Sequence, residues 1–256
     1  MSLLELQNVT QRFGGLVAVD DVSATIAQGG VTAVIGPNGA GKTTLFNAIS
    51  GFRTPSAGRV VFGGVDITGM APERIAAIGL VRTFQLVQLF GELTAMENVK
   101  VGCHLHTRGD LLAAILRSPA TRRSERQVED DARKLLDFVG LTDVADVAAS
   151  SLPYGQQRLL EIARALAAQP KLLLLDEPAA GLNSGETARL SATIREIAAR
   201  GTTVLLIEHD MKLVMSTADR VIVLDFGRKI AEGTPDEVRD NPAVIAAYLG
   251  MPEGAA

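Results

Sequence analysis

Residues 36–44 read Gly-Pro-Asn-Gly-Ala-Gly-Lys-Thr-Thr, the spacing G-x-x-x-x-G-K-[ST], set between the apolar run 31–35 and the apolar stretch 45–49. A strand, a glycine-rich turn and a helix start in that order make an anion cage, because backbone N–H groups converge on phosphate and the helix adds its positive end. Gly36, Asn38, Gly39, Ala40, Gly41, Lys42, Thr43 and Thr44 are the expected cradle. Gly39 and Gly41 leave room for the backbone to approach, Lys42 reaches the β and γ phosphates as a point charge, and Thr43 offers a hydroxyl to Mg²⁺. Further along, Leu-Leu-Leu-Leu-Asp-Glu-Pro at 172–178 is an apolar strand ending in two carboxylates, the end at which open α/β sheets place ligands. Asp176 suits Mg²⁺, directly or through water, beside Thr43. Glu177, expected to point the other way across the strand end, suits an attacking water that must be oriented or deprotonated. A strand-end acidic pair can also merely cap or solvate; the phosphate loop is what makes it chemical.

The elements that must carry these residues follow from composition and periodicity. With 256 residues, 47% hydrophobic content and only 4% aromatics, the interior is aliphatic, as in a parallel sheet covered by Ala- and Leu-rich helices. Residues 1–30 alternate loosely around Gly14-Gly15 and Gly29-Gly30, which predicts short antiparallel strands; residues 58–65 predict another strand of that group. From 156 to 224, helix and strand alternate: helices over 156–169 and 185–200, strands over 172–175, 203–207 and 221–224. That alternation argues for a parallel sheet with right-handed crossovers.

Between 95 and about 155 the pattern turns helical. Residues 111–116 are apolar, 117–126 basic and interrupted by Pro119, and 125–139 amphipathic, with Glu129/Arg133 and Asp130/Lys134 as expected i,i+4 pairs. An inserted helical subdomain is expected, and its charges read as a solvated face. His104 and His106 lack a clear third ligand and read as surface of that subdomain, not zinc. Balanced charge, 25 basic against 29 acidic residues, offers no cationic face for nucleic acid. A single cysteine, Cys103, and a start without a basic, apolar leader predict a cytosolic protein. No apolar run reaches the ~18 residues of a membrane span.

In this order of motifs the chain resembles the ATP-binding subunits of ABC transporters over residues 4–250, with 251–256 as a tail. The resemblance implies a phosphate-loop core of parallel sheet, a small antiparallel β subdomain and the inserted helical subdomain. Arg12-Phe13-Gly14-Gly15 is similar to the segment whose aromatic, here Phe13, stacks on adenine. Arg82-Thr83-Phe84-Gln85 resembles the glutamine loop, which gives Gln85 contact with Mg²⁺ or the attacking water. Leu152-Pro153-Tyr154-Gly155-Gln156 resembles the signature usually written Leu-Ser-Gly-Gly-Gln, so Gly155, Gln156 and the helix start would meet the nucleotide of a second subunit. Pro153 and Tyr154 depart from it, removing one hydroxyl and one glycine. Residues 179–183 (AAGLN) would pass between subunits, with Asn183 where aspartate is commoner. His209, in Ile207-Glu208-His209-Asp210, resembles the switch histidine that contacts the γ-phosphate.

The resemblance further implies a Mg²⁺-dependent ATPase. Two such subunits, identical or different, would trap two ATP molecules head to tail and drive membrane-spanning permease subunits from the inner face of the membrane. Residues 12–19, 81–85, 154–157, 179–183, 208–215 and 247–250 are most similar to importers of branched-chain amino acids, which work with a periplasmic binding protein. Importers of other amino acids, amides or urea share this style. A soluble, non-transport ABC ATPase and an ATP-binding module without turnover are the rival classes. The first usually carries coiled-coil insertions, tandem halves or a basic surface, none of which is visible here.

Overall fold

The computed structural model describes residues 2–103 and 119–249. His104, His106, the apolar stretch 111–116 and the tail 251–256 lie outside the described residues. The chain divides into two compact units, one from the residues up to Gln85 together with those from Lys171 on, the other from Leu86 to Pro170.

In the first unit, β1 (Ser2–Phe13) and β2 (Leu16–Ala27) form an antiparallel hairpin, and β4 (Ala57–Phe62) and β5 (Val65–Asp66) extend it in the order β2-β1-β4-β5. Short strands were expected; the two first strands instead run 12 residues each. Register shifts between Leu6 and Val9 and between Val9 and Gln11 explain the difference. Each shift changes which residue faces inward, so a continuous strand loses its strict alternation.

The second sheet of this unit has the order β10-β9-β3-β8-β7-β6, with β3 (Val31–Ile35), β6 (Leu80–Arg82), β7 (Leu172–Asp176), β8 (Thr203–Ile207) and β9 (Arg220–Asp225) parallel. Only β10 (Arg228–Gly233) is antiparallel, as the return arm of a hairpin from β9. Every residue of β3, β7 and β8 is buried, which is why these strands read as unbroken apolar runs. Pairing fixes their ends: Asp176 lies opposite Ile207, and Ile207 opposite Val34. The residues following β3, β7 and β8 are thereby delivered to one edge of the sheet. Helix α1 (Lys42–Ile49) follows the phosphate loop and buries Leu45, Phe46, Ala48 and Ile49; a short helix α2 (Pro72–Ala77) precedes β6.

The second unit holds α3 (Ala95–Cys103), α4 (Pro119–Val139) and α5 (Tyr154–Ala167) around Val99, Ala132, Leu136, Leu160 and Ala163. Arg133 pairs with Glu129 as expected, but Lys134 bonds Asp131 at 3.0 Å and not Asp130. On a helix, i,i+3 is as close a neighbour as i,i+4, and sequence spacing alone does not choose between them. Back in the first unit, α6 (Ser184–Ala199), α7 (Met211–Thr217), α8 (Pro235–Arg239) and α9 (Pro242–Leu249) complete the described helices. No helix among the described residues is long and apolar enough to cross a membrane.

Candidate active site

The phosphate loop leaves β3 at Gly36 and enters α1 through Gly41, whose φ of +99° is a left-handed conformation open to glycine. Side chains are also excluded by space. A Cβ on Gly41 would lie 2.3 Å from the Ala18 carbonyl oxygen, and one on Gly36 would lie 2.1 Å from that of Leu224. The loop is thus pinned between β2 and β9, with Gly227 N–H donating to Ala40 O at 3.0 Å. Lys42 Nζ turns back into it and donates to Gly36 O at 2.7 Å and Pro37 O at 3.0 Å, which fixes the ammonium inside the turn. Burial lowers the Lys42 pKa, opposed by the charges of Glu177 and then Asp176. Asn38, Gly39 and Thr43 are exposed, Ala40 is buried, and Thr44 is half-buried. No side chain caps the start of α1, so its N–H groups remain directed at whatever anion the loop receives.

The charges of both strand-end carboxylates act on Lys42. Glu177 has a φ of +45°, rare for a residue with a side chain, so the alternation of β7 does not carry past Asp176. Such backbone costs about 1–3 kcal/mol and gathers at functional sites. Glu177 Oε2 accepts from Gln85 Nε2 at 3.1 Å and lies 3.8 Å from His209 Nδ1. Gln85, Glu177 and His209, far apart in sequence, therefore share one carboxylate oxygen.

Glu208, which has no role in the motif as read from sequence, holds His209 in place. Its fully buried carboxylate accepts the N–H groups of Ala179 at 2.9 Å, His209 at 3.1 Å and Asp210 at 3.3 Å. Burial pushes its pKa up, against the pull of these three donors. Asp210 then caps α7, accepting from Lys212 and Leu213, so His209 is left half-exposed between two fixed neighbours. Asn183 has a structural use as well: it caps α6 in a capping box with Glu186. Such caps contribute about 1 kcal/mol, and Asp and Asn serve equally.

Arg82 is the other residue that sequence reasoning passed over. Its Nη2 meets Asp176 Oδ2 at 2.7 Å, with both side chains nearly buried, and its Nη1 donates to Asn47 Oδ1 and Ser50 Oγ at 2.8 Å each. An arginine closing a short apolar strand was the available signal, since a buried guanidinium requires an acid. Phe13 is 41% exposed, with the Arg53 guanidinium 4.8 Å from its ring centroid, so an aromatic face is on offer at the surface.

In the second unit, Pro153 precedes α5 and gives no side-chain cap. Tyr154 packs against Arg158, 5.9 Å from ring centroid to guanidinium, and its hydroxyl accepts from Arg158 Nη2 at 3.3 Å. Gly155 is buried and Gln156 half-buried in the first turn of that helix.

The sequence matches the ABC transporter family over residues 19–180, and a family described as branched-chain amino acid ATP-binding cassette transporter over residues 228–250. It is 50% identical to the high-affinity branched-chain amino acid transport ATP-binding protein BraF of Pseudomonas aeruginosa, covering 97% of this chain and 98% of that one. Its fold superposes on the ADP conformation of MJ1267, an ATP-binding cassette of an ABC transporter, with a TM-score of 0.85 at 36% identity over 98% of this chain and 100% of that one. A dimeric post-hydrolysis state of the cassette MJ0796 bound to ADP and phosphate matches with a TM-score of 0.76 at 26% identity, over 91% and 99% of the two chains.

Proposed function

This chain belongs to the ABC transporter ATP-binding family, and we propose that it hydrolyses ATP to power uptake of branched-chain amino acids through partner permease subunits. The observation that supports this most is the convergence of Gln85 and His209 on Glu177 Oε2, at 3.1 and 3.8 Å, beside the ammonium of Lys42. Phe13 stacks the adenine, and residues 36–44 wrap the phosphates, with Lys42 leaving its loop carbonyls for the β and γ oxygens. Glu177 holds the attacking water in line with the γ-phosphorus and takes its proton as the bond to the leaving oxygen breaks. Gln85 and His209 fix that carboxylate, and His209 faces the γ-phosphate.

Thr43, Asp176 and Gln85 would hold Mg²⁺. The donors fit, being a hydroxyl, a carboxylate and an amide, all hard oxygens. No cluster of three or more His, Cys, Asp or Glu occurs among the described residues, as suits an ion that takes one or two carboxylates and completes its shell with phosphate and water. Bound there, the ion would supply charge neutralisation at the β and γ phosphates.

The working form is a head-to-tail pair of cassettes, two copies of this chain or this chain with a sibling. Gly155, Gln156 and the N-terminus of α5 from one cassette complete the γ-phosphate shell of the other. ATP binding closes the pair and hydrolysis releases it. The pair sits on the inner face of the membrane, held by the permease subunits, and a periplasmic binding protein delivers the amino acid.

Reconstitution of the complete transporter tests this reading. Leucine-loaded binding protein is expected to raise ATP turnover several-fold over the unliganded protein. Turnover that answers to no liganded binding protein contradicts import.

A further inference from the structure

We propose that Arg82 is the positioning residue of the metal-side carboxylate, a bracket that sets the orientation of Asp176 and ties it to the helix behind the phosphate loop. This rests on the reading of Asp176 as the carboxylate that holds Mg²⁺. Arg82 and Asp176 stand at the ends of neighbouring parallel strands, β6 and β7, 94 residues apart in sequence. The guanidinium takes only Oδ2 of the carboxylate, at 2.7 Å, so Oδ1 remains the oxygen to offer to a metal or its water. Its other arm grips Asn47 and Ser50, in and just after α1. Ser50 is itself fixed, donating to Phe46 O at 2.6 Å. One planar group thus joins the strand-end acid to the helix that carries Lys42 and Thr43.

Aromatic rings flank the guanidinium, whose side chain is nearly buried. The rings of Phe46, Phe52 and Phe84 stand 5.9, 5.6 and 5.4 Å from the guanidinium carbon, and Phe52 and Phe84 pack edge to face. Aromatic faces favour the cation, and the low dielectric strengthens its pull on Asp176. A lysine would carry the charge but could not bridge carboxylate, amide and hydroxyl at once. Arg82 also lies three residues before Gln85, so the same bracket anchors the strand from which Gln85 reaches Glu177.

The test measures ATP affinity with and without Mg²⁺ in full-length chain carrying Glu177→Gln, where hydrolysis does not interfere. The quantity read is the tightening that the metal produces. Second-layer partners of metal ligands are worth about 10–100-fold in metal affinity. Arg82→Lys and Arg82→Gln are therefore expected to lose about tenfold or more of that tightening, while metal-free ATP affinity changes by less than about threefold. Ser50→Ala and Asn47→Ala remove one hold each and carry the test should the arginine variants not fold; a loss of about two- to fivefold is expected of each. Folded Arg82→Lys or Ser50→Ala with undiminished tightening overturns the proposal, as does an equal fall in metal-free ATP affinity, which marks a merely structural role. Asp176→Asn separates the two layers of argument. If it abolishes the tightening while the Arg82 variants do not, the bracket alone is wrong; if the tightening survives it, the carboxylate reading fails and the bracket with it.

Discussion

Among the described residues each unit buries an arginine–carboxylate ion pair, and the two are built for different ends. Arg158 and Glu161 lie three residues apart on α5, 2.8 Å between charges and 0% and 1% exposed. Arg158 also reaches Tyr154 four residues back, and Glu161 accepts the N–H of Gln88, 73 residues away in sequence, at 3.3 Å. This pair fastens the start of a helix whose first residues, Pro153 and Tyr154, supply no cap. Arg82 and Asp176 instead connect two strands and a helix, and they hold an acid that the chemistry needs with one oxygen to offer. The first arrangement stabilises a segment; the second orients a reactive group. Similar distances and burial thus serve different settings, one pair joining neighbouring turns of a helix and the other joining the ends of two strands.

The largest expected effect that can break this contrast comes from Arg158→Met. It removes the ion-pair partner of the buried Glu161, and urea unfolding should show a loss of about 3–5 kcal/mol. Replacing both partners, Arg158→Met with Glu161→Leu, should recover most of that loss, because a buried ion pair can be exchanged for well-packed apolar side chains. If the double variant is as unstable as the single one, the pair has a role beyond fastening α5.

A smaller effect at the Arg158–Glu161 pair is read by pH. Burial raises the Glu161 pKa above its ordinary 4.5, against the pull of Arg158. A carboxyl that holds its proton more tightly folded than unfolded contributes stability below the unfolded pKa, and that contribution is lost as pH rises through the folded value. The stability of the natural protein relative to Glu161→Gln should therefore decline between about pH 4 and the raised folded pKa, and be flat on either side. Urea midpoints across that range check it; a difference that grows with pH reverses the sign.

How legible each region was follows from how local its causes are. The strands at 31–35 and 203–207 carry their burial as unbroken aliphatic runs, and the structure has them at those bounds. Asp176 announces itself by closing a run of four leucines. The long β1 and β2 did not, since register shifts scramble the alternation that sequence reading relies on. Arg82 was quoted within its motif yet given no task, because its partner is 94 residues away and only strand order brings them together. Glu208 was silent for a related reason: a buried acid paired with three backbone N–H groups leaves no complementary charge to find. The left-handed backbone at Glu177 is advertised by no residue type at that position.

The central claim is that Glu177 carries the chemistry while the phosphate loop carries binding. Single-turnover ATP hydrolysis by the Glu177→Gln variant in the assembled transporter tests it most directly. Turnover is expected to fall by about two orders of magnitude or more, the scale of a lost general base, while ATP affinity stays within a few-fold. Hydrolysis at the natural rate in that variant would contradict it.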